Sequence, residues 1–130
     1  MPISSHDLLT LAVRLKSESN ECSFRSAASR AYYAYYHVCR DFAKKRTLPE
    51  PPPDAKGEHE KVIQRFLAFQ DDINHTNQIE VRRIGYLLRY IKLIRTDADY
   101  YLEKEFTIGR VDETFEYIEK IKEAFGKITV

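Results

Sequence analysis

The stretch of sequence that decides the fold runs from residue 21 to residue 46 and reads ECSFRSAASRAYYAYYHVCRDFAKKR. Its apolar residues recur at alternating steps of four and three, which is the spacing of a helix packed along a narrow stripe. These residues are Phe24, Ala28, Ala31, Tyr35, Val38 and Phe42. The pattern predicts one long helix over about residues 21–46.

Four further helices are predicted around this one from the same kind of apolar spacing. The first has Ser4 and Ser5 as candidate N-caps and is expected to end near residue 19. The third is predicted over about residues 58–72 and the fourth over about residues 77–103. A fifth is expected after Gly109.

Prolines separate the second predicted helix from the third. Because the run Pro49-Glu50-Pro51-Pro52-Pro53 cannot continue a helix, we expect one exposed loop over about residues 48–57. No segment alternates with period two for long enough to make a strand, and 130 residues suit one core. The sequence therefore predicts a single all-α domain over residues 1–130, an antiparallel four- to five-helix up-and-down bundle.

Composition narrows the classes of function. A net charge of +1 gives no global field for a polyanion, so any contact with nucleic acid must come from a local patch. The two cysteines lack C-x-x-C spacing, and no signal segment or membrane-spanning apolar run is visible, which predicts a cytoplasmic protein without a membrane segment. His59 and His75 have no spaced partners for a metal, so we predict no metal or other cofactor and expect surface or capping roles.

One face of the second helix carries the candidate chemistry. Arg30 and His37 are seven positions apart and therefore lie within about 20° of each other on a helix. Asp41 is four residues beyond His37, within reach of its ring, and Ser26 and Tyr33 lie on or near the same side. Such a face can support metal-free RNA cleavage, in which a ribose 2′-hydroxyl attacks the adjacent phosphorus.

Each residue of this face has an expected role. His37 is the candidate general acid or base, Asp41 would fix its tautomer, and Arg30 would stabilise the charge of the transition state. Because one helix supplies only one arginine and one histidine, symmetric pairing of two chains along this face would double the set, and Ala27 and Ala34 would let a partner approach closely. The alternative is that Arg30 and His37 are ordinary flanking residues, paired with Asp41 or a neighbouring helix.

Two other groups of residues allow contact with RNA. Tyr32, Tyr33, Tyr35 and Tyr36 could stack on bases, although packing in the core or an interface is the favoured interpretation. On the fourth helix a basic stripe could follow a phosphate backbone, or it could be a solvated face paired with the acidic side of the fifth helix. The residues of this stripe are Arg82, Arg89 and Lys92, with Arg83 nearby.

Residues 29–37, SRAYYAYYH, resemble the signature helix of the HEPN family of small helical-bundle proteins. Residues 57–66 and residues 82–100, which end in RTDADY, are similar to the third and fourth helices of that family. In the family, an arginine followed after four to six residues by a histidine marks the active site of metal-independent endoribonucleases. The resemblance assigns this pair to Arg30 and His37 and implies a homodimer.

The resemblance also implies a biological setting and a second class of function. It points to a prokaryotic toxin–antitoxin or defence system in which a minimal nucleotidyltransferase acts as the antitoxin. The first hypothesis is therefore an RNA-cleaving homodimer. The second is a noncatalytic interaction or nucleotide-binding module that retains the fold and pairs with such a nucleotidyltransferase.

Overall fold

The computed structural model describes residues 2–129, and this part of the chain contains five helices and no strand. The helices are α1 (Ser5–Lys16), α2 (Glu21–Lys45), α3 (Glu58–Leu67), α4 (His75–Tyr100) and α5 (Ile108–Lys127). The prediction of a single all-α helical bundle is confirmed. The ends of the predicted domain, Met1 and Val130, lie outside the described residues.

Polar side chains at the helix starts explain where α1 and α2 begin. Ser4 and Asp7 form a reciprocal capping box at the start of α1, and Asn20 accepts a hydrogen bond from the Ser23 backbone N–H at 2.8 Å. Between the two helices, Ser19 has a φ of 56°, which a right-handed helix does not allow. For this reason α1 ends at Lys16, before the predicted position near residue 19.

A side-chain turn separates α3 from α4. The Asp71 carboxylate accepts hydrogen bonds from the backbone N–H groups of Ile73 and Asn74 at 3.1 and 2.8 Å. The Asn74 side chain then caps α4 by accepting from the Asn77 N–H at 3.0 Å. Accordingly α3 ends at Leu67 rather than near residue 72, and α4 begins two residues earlier than predicted.

Helix α2 is the centre of the bundle, because it packs against each of the other four helices. Its buried surface is wider than the predicted stripe and includes Ala27, Tyr32, Tyr36 and Cys39. Tyr35 is also buried, while Tyr33 keeps part of its surface exposed. The expectation that these tyrosines mainly serve packing is confirmed. Among the described residues, no helix is both long enough and apolar enough to cross a membrane.

Gly85 allows α3 and α4 to approach each other closely. A Cβ atom at this position would lie 2.9 Å from the Leu67 Cδ2 atom and 2.9 Å from the Phe66 Cβ atom. The Phe66 Cβ atom is fixed to the backbone and cannot move aside without shifting α3. A glycine in the middle of α4 is therefore used for packing, although it lowers helix propensity.

We expect Gly85→Ala to lower the free energy of unfolding by about 1–3 kcal/mol, because overpacking outweighs the gain in helix propensity. Gly126→Ala is the matched control, since a Cβ atom there meets nothing within 4 Å. That change should leave stability unaltered or raise it by up to about 1 kcal/mol. Urea denaturation followed by circular dichroism measures both, and a stabilised Gly85→Ala variant would contradict this packing.

Candidate functional site

The outer face of α2 carries the residues singled out in the sequence. Ser26, Arg30, Tyr33, His37 and Asp41 follow one another at steps of four and three, and each keeps part of its surface exposed. The core-facing residues of α2 lie on the other side of the helix. The structure therefore places all five on one accessible side of α2.

Arg30 lies in the N-terminal half of this face, one turn after Ser26. Its guanidinium is 5.1 Å from the centre of the Tyr33 ring, and its Nη2 donates a hydrogen bond to the Ser29 Oγ at 3.4 Å. Arg30, Ser26, Ser29 and Asp99 line a surface cavity of about 380 Å³ that is closed on one side by two leucines of α1. A cation, two hydroxyl groups and the Asp99 carboxylate therefore meet at an open cavity between α1, α2 and α4.

His37 lines a different cavity, of about 390 Å³, together with Asp41, Arg40 and the first residues of α1. Asp41 forms its ion pair with the Arg40 Nε atom, at 3.9 Å. The structure thus places Arg30 and Ser26 at one cavity and His37 and Asp41 at the other. The expectation that Asp41 holds the His37 ring is wrong, because the Asp41 carboxylate pairs with Arg40. The two pairs occupy neighbouring cavities, about 10 Å apart along the helix axis.

Two tyrosines link Arg30 to His37, although neither tyrosine lines the two cavities. The rings of Tyr33 and Tyr36 are 6.4 Å apart in a T-shaped arrangement, and the Tyr36 ring is 5.3 Å from the His37 ring. Because the Arg30 guanidinium lies over Tyr33, an unbroken series of ring contacts runs from Arg30 to His37. This series places an aromatic surface between the cation and the imidazole.

A second imidazole belongs to the same cluster. His59, on α3, stacks on Tyr36 with ring centres 4.2 Å apart and meets the edge of Tyr33 at 5.6 Å. Its Nδ1 atom is 2.6 Å from the Tyr32 hydroxyl oxygen. Burial lowers the pKa of His59, and the positive charges of Arg95, Lys92 and His37 lower it further.

The expectation that His59 is only a surface or capping residue is wrong. His59 is half-buried and packs against three tyrosines of α2. The proline-rich loop separates His59 from α2 in the sequence, so the number of residues between them does not predict whether they lie close together. Only the packing of α3 against α2 brings it to the site.

Arg95, on α4, is the other residue that sequence reasoning missed. Its buried guanidinium lies 5.1 Å from the centre of the Tyr32 ring and 5.4 Å from the centre of the Tyr33 ring. It also pairs with the Asp99 carboxylate at 3.6 Å. Asp99 also accepts a hydrogen bond from the Ser29 Oγ at 3.1 Å. Arg95 and Asp99 lie on α4, whereas Ser29 and the tyrosines lie on α2, so spacing within one helix could not reveal these contacts.

Comparison with protein-family models, curated proteins and solved structures found no match to this chain. Across residues 2–129, no cluster of three or more histidine, cysteine or acidic side chains is arranged to hold a metal ion.

The basic residues of α4 contact other parts of the chain. The Arg82 Nε donates to the Phe69 carbonyl at 2.8 Å, and both Arg89 and Lys92 pair with Glu60 of α3. Although burial raises the pKa of Glu60, the Gln64 hydrogen bond and these cations outweigh burial and hold the pKa below its usual value. The stripe therefore joins α4 to α3, and the expected alternative of pairing with the fifth helix is wrong.

The small residues expected to admit a partner at α2 are already covered. Ala27 and Ala34 are fully or almost fully buried within the chain. Leu15 of α1 packs in the cluster around Ala27, and Leu9 of α1 lies beside Ala34. The prediction that these two alanines let a second chain approach α2 is therefore wrong, because α1 occupies that position.

The lowered pKa of His59 predicts a pH dependence of stability. The unfolded chain binds a proton near the ordinary histidine pKa of about 6.5, whereas the folded chain resists protonation until a lower pH. His59 therefore adds stability above the unfolded pKa, and this stability is lost as the pH falls through that value towards the folded pKa.

The free energy of unfolding of the wild type should fall as the pH is lowered from 7 to 5. We expect a smaller fall in His59→Asn, because this variant lacks the imidazole that resists protonation in the folded state. The matched control is His75→Asn, which changes an exposed histidine at the start of α4. Urea denaturation at a series of pH values measures the slopes. Equal slopes in the wild type and His59→Asn would show that His59 is not held neutral by its surroundings.

Proposed function

We propose that this protein is a HEPN-like, metal-independent endoribonuclease that acts as a homodimer in a prokaryotic toxin–antitoxin or defence system. The observation that carries the proposal is the outer face of α2, where Arg30, Tyr33 and His37 each keep part of their surface exposed and the buried Tyr36 ring contacts both Tyr33 and His37. A cation, an imidazole and an aromatic surface are the groups that recognise and cleave a single RNA strand without a metal.

The proposed reaction is transesterification within RNA. His37 removes the proton from a ribose 2′-hydroxyl while the 2′-oxygen forms a bond to the adjacent phosphorus. The bond from phosphorus to the 5′-oxygen breaks, and that oxygen takes a proton from water, giving a 2′,3′-cyclic phosphate and a 5′-hydroxyl end. The protonated His37 then returns its proton to solvent. Arg30 neutralises the charge that develops on the two nonbridging phosphate oxygens.

The arrangement of the cavities determines how RNA would lie on the face. Arginine has a long, flexible side chain, so Arg30 can reach a phosphate held between its own cavity and that of His37. Tyr33, half-exposed between them, offers its ring to an unpaired base, and Ser26 offers a hydroxyl to the backbone.

The proposal also includes a partner protein and a cellular location. In the cytoplasm, a minimal nucleotidyltransferase encoded with this chain would act as the antitoxin. Arg82, Arg89 and Lys92 would add long-range attraction for RNA at the edge of the site, in addition to their contacts with α3. The reaction needs no metal or organic cofactor.

RNA incubated with the purified protein in EDTA should be cleaved, and His37→Ala should lower the rate by at least about 100-fold, because it removes the acid–base group. Arg30→Ala should also lower the rate strongly. His75→Ala is the matched control, since His75 is exposed and lies at the start of α4. Equal cleavage by the wild type and His37→Ala would contradict the proposal.

A second candidate is a noncatalytic module that binds RNA or a nucleotide and pairs with a nucleotidyltransferase. It is favoured by one observation, namely that Arg30 and His37 line separate cavities. In that case no product forms in EDTA, but Arg30→Ala weakens binding of labelled single-stranded RNA. Filter binding in the same buffer separates this outcome from the first.

A further inference from the structure

The cavity at Arg30 has one apolar wall and one polar edge. Two leucines of α1 form the wall, and polar side chains of α2 and α4 form the edge. The residues that line the cavity are Leu11, Leu15, Ser26, Ser29, Arg30 and Asp99. Its volume of about 380 Å³ is typical of a site for a small molecule. A flat ring with hydrogen-bonding groups along one edge, such as a nucleobase, matches a cavity of this kind.

The Asp99 carboxylate is held in the cavity through one of its two oxygen atoms. The Oδ2 atom accepts a hydrogen bond from the Ser29 Oγ at 3.1 Å and lies 3.6 Å from the Nη1 atom of the buried Arg95. The side chain of Asp99 keeps 31% of its surface exposed. Ser29 and Arg95 therefore fix the direction of the carboxylate, and the Oδ1 atom remains as an acceptor for a ligand.

A carboxylate selects a base that presents hydrogen-bond donors, because an ionised carboxylate only accepts. Guanine presents two adjacent donors, the N1–H and the N2 amino group, on its Watson–Crick edge. Adenine and cytosine have a ring-nitrogen acceptor beside the amino group, and uracil has a carbonyl oxygen on each side of its N3–H. In these three bases an acceptor would face a carboxylate oxygen, which is costly. Asp99 therefore favours guanine.

Arg30 completes the match at the same cavity. The O6 atom of guanine lies next to the N1–H and is an acceptor, and a guanidinium has five N–H donors. Arg30 can therefore donate to O6 and keep other N–H groups for a phosphate. Because guanine is neutral, Arg30 also keeps the positive charge that the proposed cleavage requires.

We propose that the cavity between α1, α2 and α4 binds one unpaired guanine base of an RNA strand, and that Asp99 sets this preference. The inference rests on the proposed function, because RNA is the ligand that the outer face of α2 would hold. It adds that the strand is held close to a guanosine when it is cut.

Binding of an RNA that cannot be cleaved tests the site. The probes are labelled 2′-fluoro RNA heptamers of uridine with one central guanosine, inosine, adenosine or cytidine, since the fluorine replaces the attacking hydroxyl. The wild type should bind the guanosine probe at least about tenfold more tightly than each of the others, because even inosine loses the hydrogen bond of the N2 amino group. Fluorescence anisotropy in EDTA measures the dissociation constants. Equal affinities for the guanosine and inosine probes, or no binding of any probe, would overturn the proposal.

Asp99→Asn tests the assigned residue. The amide nitrogen donates, so it would face a donor of guanine, and the preference for guanosine over inosine should fall to within about threefold. Affinity for an all-uridine probe should stay within about threefold of the wild type. Asp97→Asn is the matched control and should keep the preference, since Asp97 lies on the same helix but its carboxylate pairs with Arg110 of α5. A preference retained in Asp99→Asn would overturn the role of Asp99.

The guanine site and the nuclease proposal fail separately. The comparison of probes uses the wild type, so it decides the proposal even if Asp99→Asn does not fold. A protein that prefers the guanosine probe but does not cut RNA in EDTA would count against the nuclease proposal alone. A protein that cuts RNA but shows no preference for guanosine, either among its probes or at its cleavage sites, would count against the guanine site alone.

Discussion

Arg25 joins the first turns of α2 to the C-terminal end of α4. Its buried guanidinium donates hydrogen bonds to the carbonyl oxygens of Asp97, Ala98 and Tyr101, at 3.2, 2.9 and 3.3 Å, and to that of Lys104. The last carbonyl groups of a helix have no partners within the helix, and leaving them buried and unpaired is costly. One arginine therefore fixes how α2 and α4 lie against each other.

The contacts that build the site follow from this alignment. One turn further along α2, Ser29 meets Asp99, and one turn beyond that, Tyr32 and Tyr33 meet Arg95. These contacts hold the tyrosines so that Tyr33 remains half-exposed beside Arg30 on the outer face of α2.

The helices could be predicted from the sequence because their signals are local. Apolar spacing placed all five helices, whereas several ends were missed where a single residue decides them, such as Ser19 with its positive φ and the Asp71 turn. That Arg30 and His37 share one face of α2 could likewise be predicted, because it depends only on their spacing within one helix. His59 and Arg95 were not predictable, because only tertiary packing brings α3 and α4 to the tyrosines of α2.

The alignment of α2 with α4 is tested most directly by the stability of Arg25→Gln. The free energy of unfolding in urea should fall by about 2–4 kcal/mol, since the Ala98 and Lys104 carbonyl groups lose the guanidinium donor and the Asp97 and Tyr101 carbonyl groups keep only a backbone N–H. Arg40→Gln, which changes a half-exposed arginine on the same helix, should stay within about 0.5 kcal/mol of the wild type. An Arg25→Gln protein as stable as the Arg40→Gln protein would contradict the account.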